Sequence, residues 1–252
     1  MQPREALQRV LEQAEGSALV AFLTAGYPEP EGFLEVLGEV EEGADAVEIG
    51  VPFSDPMADG ITIQRSSQGA IEKGVSLRWI LDQLATKTPS STPILLMSYL
   101  NPLLAFGYET LAARASEVGV SGFIVPDLPY EESAPLKDCL DAHGLALVQL
   151  VTPATPPERL SQLCRASEGF VYAVTRTGIT GGETQLPEGI TDYLGAVKKI
   201  SPVPVCAGFG VRSRDDVELI GQHADGVIVG SALVEALERG ESPSSFLKAL
   251  RP

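Results

Sequence analysis

Cations are scarce in this chain. Its 252 residues hold 18 Lys and Arg against 34 Asp and Glu, a formal net charge of −16. So acidic a surface repels a phosphate backbone, which argues against general nucleic-acid binding. Any anionic substrate must instead be held by a local device, such as backbone N–H groups. Histidine is scarcer still, with only His143 and His223. Neither has ligand spacing, and both read as surface residues rather than as parts of a metal site or triad. The three cysteines, Cys139, Cys164 and Cys206, lack metal-ligand spacing and cannot all pair. That usage suggests a reducing, cytoplasmic setting. No run of 18 apolar residues occurs, so no membrane-spanning helix is expected. The opening MQPREALQRVLEQAEG has the pattern of an amphipathic helix, not of a signal peptide. Linkers, low-complexity tracts and composition breaks are missing too, and a single domain over 1–252 is expected.

Present in abundance are short apolar runs. Eight recur, at 18–23, 45–51, 93–99, 122–127, 146–151, 170–175, 204–209 and 226–232. They are continuous rather than alternating, as in strands buried on both faces of a parallel sheet. Helix-period segments lie between them, at 31–42, 76–86, 109–118, 131–142, 156–166, 190–199, 213–221 and 243–250. Two open with capping-box patterns, Thr155 to Glu158 and Ser213 to Asp216. Eight strand–helix alternations in about 250 residues point to an α/β (β/α)₈ TIM barrel. The rival is an open doubly wound sheet, which usually needs fewer strands. An extra N-terminal helix, 3–14, precedes the first strand and would plug the barrel base. Two connections, 52–75 and 176–189, are longer than a turn requires and should lie on the catalytic face, where barrel strands end.

Three features could carry chemistry. Glu48 interrupts the apolar run DAVEIGV, with Val47, Ile49 and Val51 around it. It is either a charge at a solvated strand end or a desolvated carboxyl that exchanges protons near neutral pH. Asp59 follows in the loop SDPMADG, so two carboxylates near one strand end can divide proton transfer from charge stabilisation. Asp55, beside Pro56, reads as a turn residue. The second feature is glycine at consecutive strand ends, in Ala207-Gly208-Phe209-Gly210 and Val229-Gly230-Ser231-Ala232. In barrels these two loops often bind phosphate through backbone N–H groups at a helix N-terminus, which resolves the charge paradox. The third is the glycine-rich stretch TRTGITGGE (175–183), which reads as a closing lid or as an ordinary surface loop. Phe22, Tyr99, Tyr172 and Phe209 lie near strand ends, either as core aromatics or as the walls of a pocket for a flat aromatic ligand.

The stretch DAVEIGVPFSDPMADGITIQ (45–64) closely resembles the signature of the tryptophan synthase α-subunit family. The likeness continues through FLTAGYP (22–28), ILLMSYLNP (94–102), GFIVPDLPYEES (122–133), YAVTRTGITG (172–181), AGFGVRS (207–213) and VIVGSA (227–232). It spans essentially the whole chain in the family's order. The chain departs from many members in having fewer residues before the first helix, which leaves less chain to cover the base. The resemblance implies cleavage of indole-3-glycerol phosphate to indole and glyceraldehyde 3-phosphate, a retro-aldol lyase step of tryptophan biosynthesis needing neither metal nor cofactor. It makes Glu48 and Asp59 catalytic, and Tyr172 a neighbour of the reacting carbons. The phosphate would rest on Gly181, Gly210, Gly230 and Ser231, with Phe22, Tyr99 and Phe209 flanking the indole and Thr180 approaching Asp59 on lid closure. A pyridoxal-phosphate β-subunit would dock at the loops holding Pro52, Asp55, Asn101 and Pro129 in an α2β2 assembly, receiving indole through a tunnel. Alternatives are a free-standing indole-glycerol phosphate lyase, a different phosphate-binding barrel of the same pathway, and a catalytically decayed allosteric subunit. Both carboxylates being present argues against the last.

Overall fold

The computed structural model describes residues 1–175, 189–208 and 210–252. The chain opens with α1 (Pro3–Glu12) and β1 (Ala18–Thr24), then α2 (Phe33–Gly43), β2 (Ala46–Gly50), α3 (Ile61–Glu72), α4 (Leu77–Leu84) and β3 (Ile94–Met97). It continues through α5 (Leu100–Phe106), α6 (Tyr108–Glu117), β4 (Val120–Ile124), α7 (Ala134–Asp141), β5 (Ala146–Val151), α8 (Pro157–Ala166) and β6 (Val171–Val174). The last elements are α9 (Ile190–Ile200), β7 (Val205–Gly208), α10 (Arg214–Gly221), β8 (Gly226–Val229), α11 (Ser231–Glu238) and α12 (Pro243–Leu250). The strands pair in parallel in chain order, and β8 pairs back to β1, closing the (β/α)₈ barrel. No helix among the described residues is long and apolar enough to cross a membrane.

Burial on both faces explains the continuous apolar runs. Alternate strand residues point outward and pack under the helices, among them Leu19, Ala21, Val47, Ile49, Leu96 and Val227. The others fill the barrel interior, among them Val20, Phe22, Leu95, Ile124, Val148, Tyr172, Cys206 and Ile228. The base is closed by α1, whose Leu7 and Leu11 belong to this interior cluster. Arg4 pins the helix by donating to Asp141 and, at 2.8 Å, to Glu168. The helix thus plugs the base.

The long connection 52–75 proves to hold a helix, α3. Its buried residues are Ser66, Ser67 and Ala70, so no large apolar side chains mark its period. The eighth apolar run likewise divides into β8 and α11. Of the two capping boxes, that at Ser213 forms: its Oγ accepts from the Asp216 N–H, and Asp216 accepts from the Ser213 N–H. That at Thr155 does not. Pro157 keeps Pro156 extended (φ −60°, ψ 150°), so the helix starts one residue later without a side-chain cap. Thr155 Oγ1 instead accepts from the Thr152 N–H at 2.9 Å, closing the preceding turn.

Candidate active site

Strand β2 places Glu48 on the inward face of the barrel. Val47 and Ile49 point the other way, into the helix layer, and so do not surround it. Its register partners are Phe22 on β1 and Leu95 on β3. The side chain is 1% exposed, and neither carboxylate oxygen has a hydrogen-bond partner among the described residues. Burial raises its pKa from the ordinary 4.5 to about 8, and the charge of Asp59 adds to the rise. The reading of Glu48 as a solvated charge is thereby removed: burial favours its protonated form near neutral pH.

Asp59 comes from the β2–α3 loop and is held from two sides. Its carbonyl accepts from Gln64 Nε2 at 2.8 Å, which ties it to the first turn of α3. Its Oδ2 accepts from the Tyr99 hydroxyl at 2.9 Å, and that hydroxyl itself accepts from the Ala58 N–H at 2.9 Å. Burial raises the Asp59 pKa to about 6, against a lowering by the Tyr99 hydrogen bond. Tyr99 stacks on Phe53 with ring centroids 5.0 Å apart. It stands behind Asp59, outside the set of described residues that line the cavity. Asp55 accepts from the Met57 N–H, as a turn residue does.

Glu48 and Asp59 open onto one cavity, with Phe22, Tyr172, Gly210, Gly230 and Ser231 in its wall. Tyr172 is buried near Glu48, and that burial drives its hydroxyl pKa well above the usual value. The Tyr172 ring is seated by Gly208: a Cβ there would stand 2.8 Å from the tyrosine oxygen. Gly210 has φ +89°, a conformation that glycine adopts without strain. Gly230 is the N-cap of α11, and Ser231 is its first residue. The first N–H groups of a helix have no intrahelical acceptor, and the helix dipole is positive there. The cavity therefore has a proton-exchanging end and an anion-accepting end. Ile63, Met97, Val211 and Ile228 also line it, and sequence reasoning did not single them out. Ile63 sits on α3, in a stretch read as loop. Thr180, Gly181 and Phe209, with most of the expected lid, lie outside the described residues.

The model of the tryptophan synthase alpha chain family matches residues 8–250. The chain belongs to the tryptophan synthase alpha chain family. It is 42% identical to the tryptophan synthase alpha chain of Solidesulfovibrio magneticus, with 96% of each chain covered. Its identity to that of Geobacter sulfurreducens is 43%, over 96% of this chain and 94% of the relative. Among solved structures it is similar to tryptophan synthase from M. tuberculosis in an open form, at TM-score 0.88 and 35% identity, covering 97% of this chain and 96% of that one. An Aquifex aeolicus VF5 structure gives TM-score 0.89 at 35% identity, covering 99% and 98%. The alpha chain family consists of lyases that cleave indole-3-glycerol phosphate, the α-reaction of tryptophan biosynthesis.

Proposed function

We propose that this alpha chain performs the α-reaction with Glu48 as proton shuttle and Asp59 as the anchor of the indole N–H. The observation that carries this reading is a buried carboxyl, without a hydrogen-bond partner among the described residues, that shares one cavity with the first residues of α11. The phosphate rests at Gly210, Gly230 and Ser231, where no lysine or arginine is required. Glu48, protonated at neutral pH, donates to indole C3. The ring becomes a cationic indolenine, and Asp59, accepting from the ring N–H, stabilises its positive charge. The hydroxyl next to the reacting carbon then yields its proton to the Glu48 carboxylate as the C–C bond breaks. Indole and glyceraldehyde 3-phosphate leave, and Glu48 is protonated again. Tyr172 packs beside these groups and limits the space around them.

The apolar product favours a partner that receives it. We place a pyridoxal-phosphate β-subunit on the same face, in an α2β2 assembly in the cytoplasm, with residues 1–252 as a single barrel domain. Asp55, Asn101 and Pro129 are exposed, whereas Pro52 is buried and contributes by shaping the loop. Indole release from indole-3-glycerol phosphate, measured on purified chain with and without a β-subunit, tests the proposal. Release by the chain alone, increased by the partner, is the expected result. Absence of release in both conditions contradicts it.

A further inference from the structure

One carboxylate outside the cavity joins the segments that build it. Glu235 lies one turn into α11, four residues after Ser231. Its Oε1 accepts from Thr62 Oγ1 at 3.0 Å, at the second residue of α3. Its Oε2 accepts from both terminal nitrogens of Arg212, at 3.0 and 2.6 Å. Arg212 follows Gly210 by two residues, and Thr62 follows Asp59 by three. Thus a single side chain ties the strand-seven loop and the start of α11, at the anion-accepting end, to the helix that follows Asp59. A second contact runs parallel to it: Glu238 accepts from Arg65 Nε at 3.0 Å and from its terminal nitrogen at 2.7 Å, and from the Tyr27 hydroxyl at 2.7 Å.

We propose that Glu235 is a positioning residue that sets the spacing between the phosphate cradle and Asp59. This rests on the assignment of the cavity given above. The side chains of Glu235 and Arg212 are 27% and 43% exposed, and such a pair contributes little to stability in water. Its consequence is geometric. A substrate held by its phosphate presents its ring at a fixed reach, and a small misplacement of the group that meets the ring lowers turnover. Arg212 has a second effect in the same cluster. It neutralises a carboxylate one turn from the phosphate site, in a chain already strongly acidic.

The two arms separate in experiment. Thr62→Val breaks only the link to α3, so kcat for indole release should fall about tenfold or more, while the Kd of glycerol 3-phosphate, measured by calorimetry, stays unchanged. Arg212→Ala should weaken glycerol 3-phosphate binding. Glu235→Ala should reduce kcat as Thr62→Val does. The double variant should be no slower than Glu235→Ala alone, because both act through one contact. Glu235→Gln, which keeps an acceptor for Thr62, should recover most of the turnover. A merely structural role would lower Tm without this division between kcat and Kd. Multiplying kcat losses in the double variant, or Thr62→Val with native kcat, would overturn the proposal. Glu48→Gln serves as the separate control: full activity in that variant removes the catalytic assignment and leaves the division between the arms to be judged on its own.

Discussion

At the residue scale, environment rather than identity sets the protonation of Glu48. A carboxyl whose folded pKa rises from 4.5 to about 8 contributes most to stability below pH 4.5 and loses that contribution as pH rises through 8. Glu48→Gln removes the cost of ionisation. It should therefore be more stable than the native chain above pH 8, the gap shrinking to nothing below pH 4.5. Thermal unfolding of both proteins across that range checks the sign, and a gap that widens toward acid would contradict it. Tyr99 acts on the other carboxylate. Its hydrogen bond lowers the Asp59 pKa against burial, so Tyr99→Phe should raise it and move the acid limb of the kcat/KM profile to higher pH. An unmoved limb would show that Asp59 is not the group titrating there. Gly208 shows how closely the interior is filled. A Cβ at that position meets the Tyr172 oxygen at 2.8 Å, so Gly208→Ala must displace a cavity wall and should slow indole release even where the barrel folds.

At the scale of elements, the proposed anion site lies at the start of α11, and Asp59 lies in the loop that leads into α3. Gly230→Asp tests the first. The Gly230 backbone has φ −116°, and a Cβ there meets nothing closer than Phe22 at 3.6 Å. The added carboxylate should thus weaken glycerol 3-phosphate binding by charge, with no steric clash at Cβ. Native affinity in calorimetry would remove the site from α11. Both helices were hard to read in the sequence, for opposite reasons. The inner face of α3 is Ser66, Ser67 and Ala70, too small and polar to mark a helical period. In α11, Ala232, Leu233, Val234, Ala236 and Leu237 are all buried, so its apolar residues resume after only Gly230 and Ser231 and blur the boundary with β8. The strands were legible because burial on both faces leaves unbroken apolar stretches, and Glu48 stood out against one of them. The partnership of Tyr99 with Asp59 was not legible, since 40 residues separate them and only the pairing of β2 with β3 brings them together.

At the scale of the whole molecule, stability and chemistry occupy opposite ends of the barrel. Leu7 of α1 is fully buried at the base, away from the cavity. Leu7→Ala should cost about 2–5 kcal/mol of stability and leave the KM for indole-3-glycerol phosphate unchanged. Denaturant unfolding and steady-state kinetics on one preparation would separate the two effects, and a raised KM would show the ends to be coupled. Net charge fits the same division: the chain is strongly acidic, yet the phosphate site proposed at the start of α11 requires no lysine or arginine. The account depends most on Glu48 exchanging the proton from the closed interior while the anion is held elsewhere. Measured on Glu48→Gln, indole formation should fall by at least about 10²–10⁴-fold, with glycerol 3-phosphate bound as tightly as by the native chain. More than half the native rate in a folded Glu48→Gln variant would contradict it.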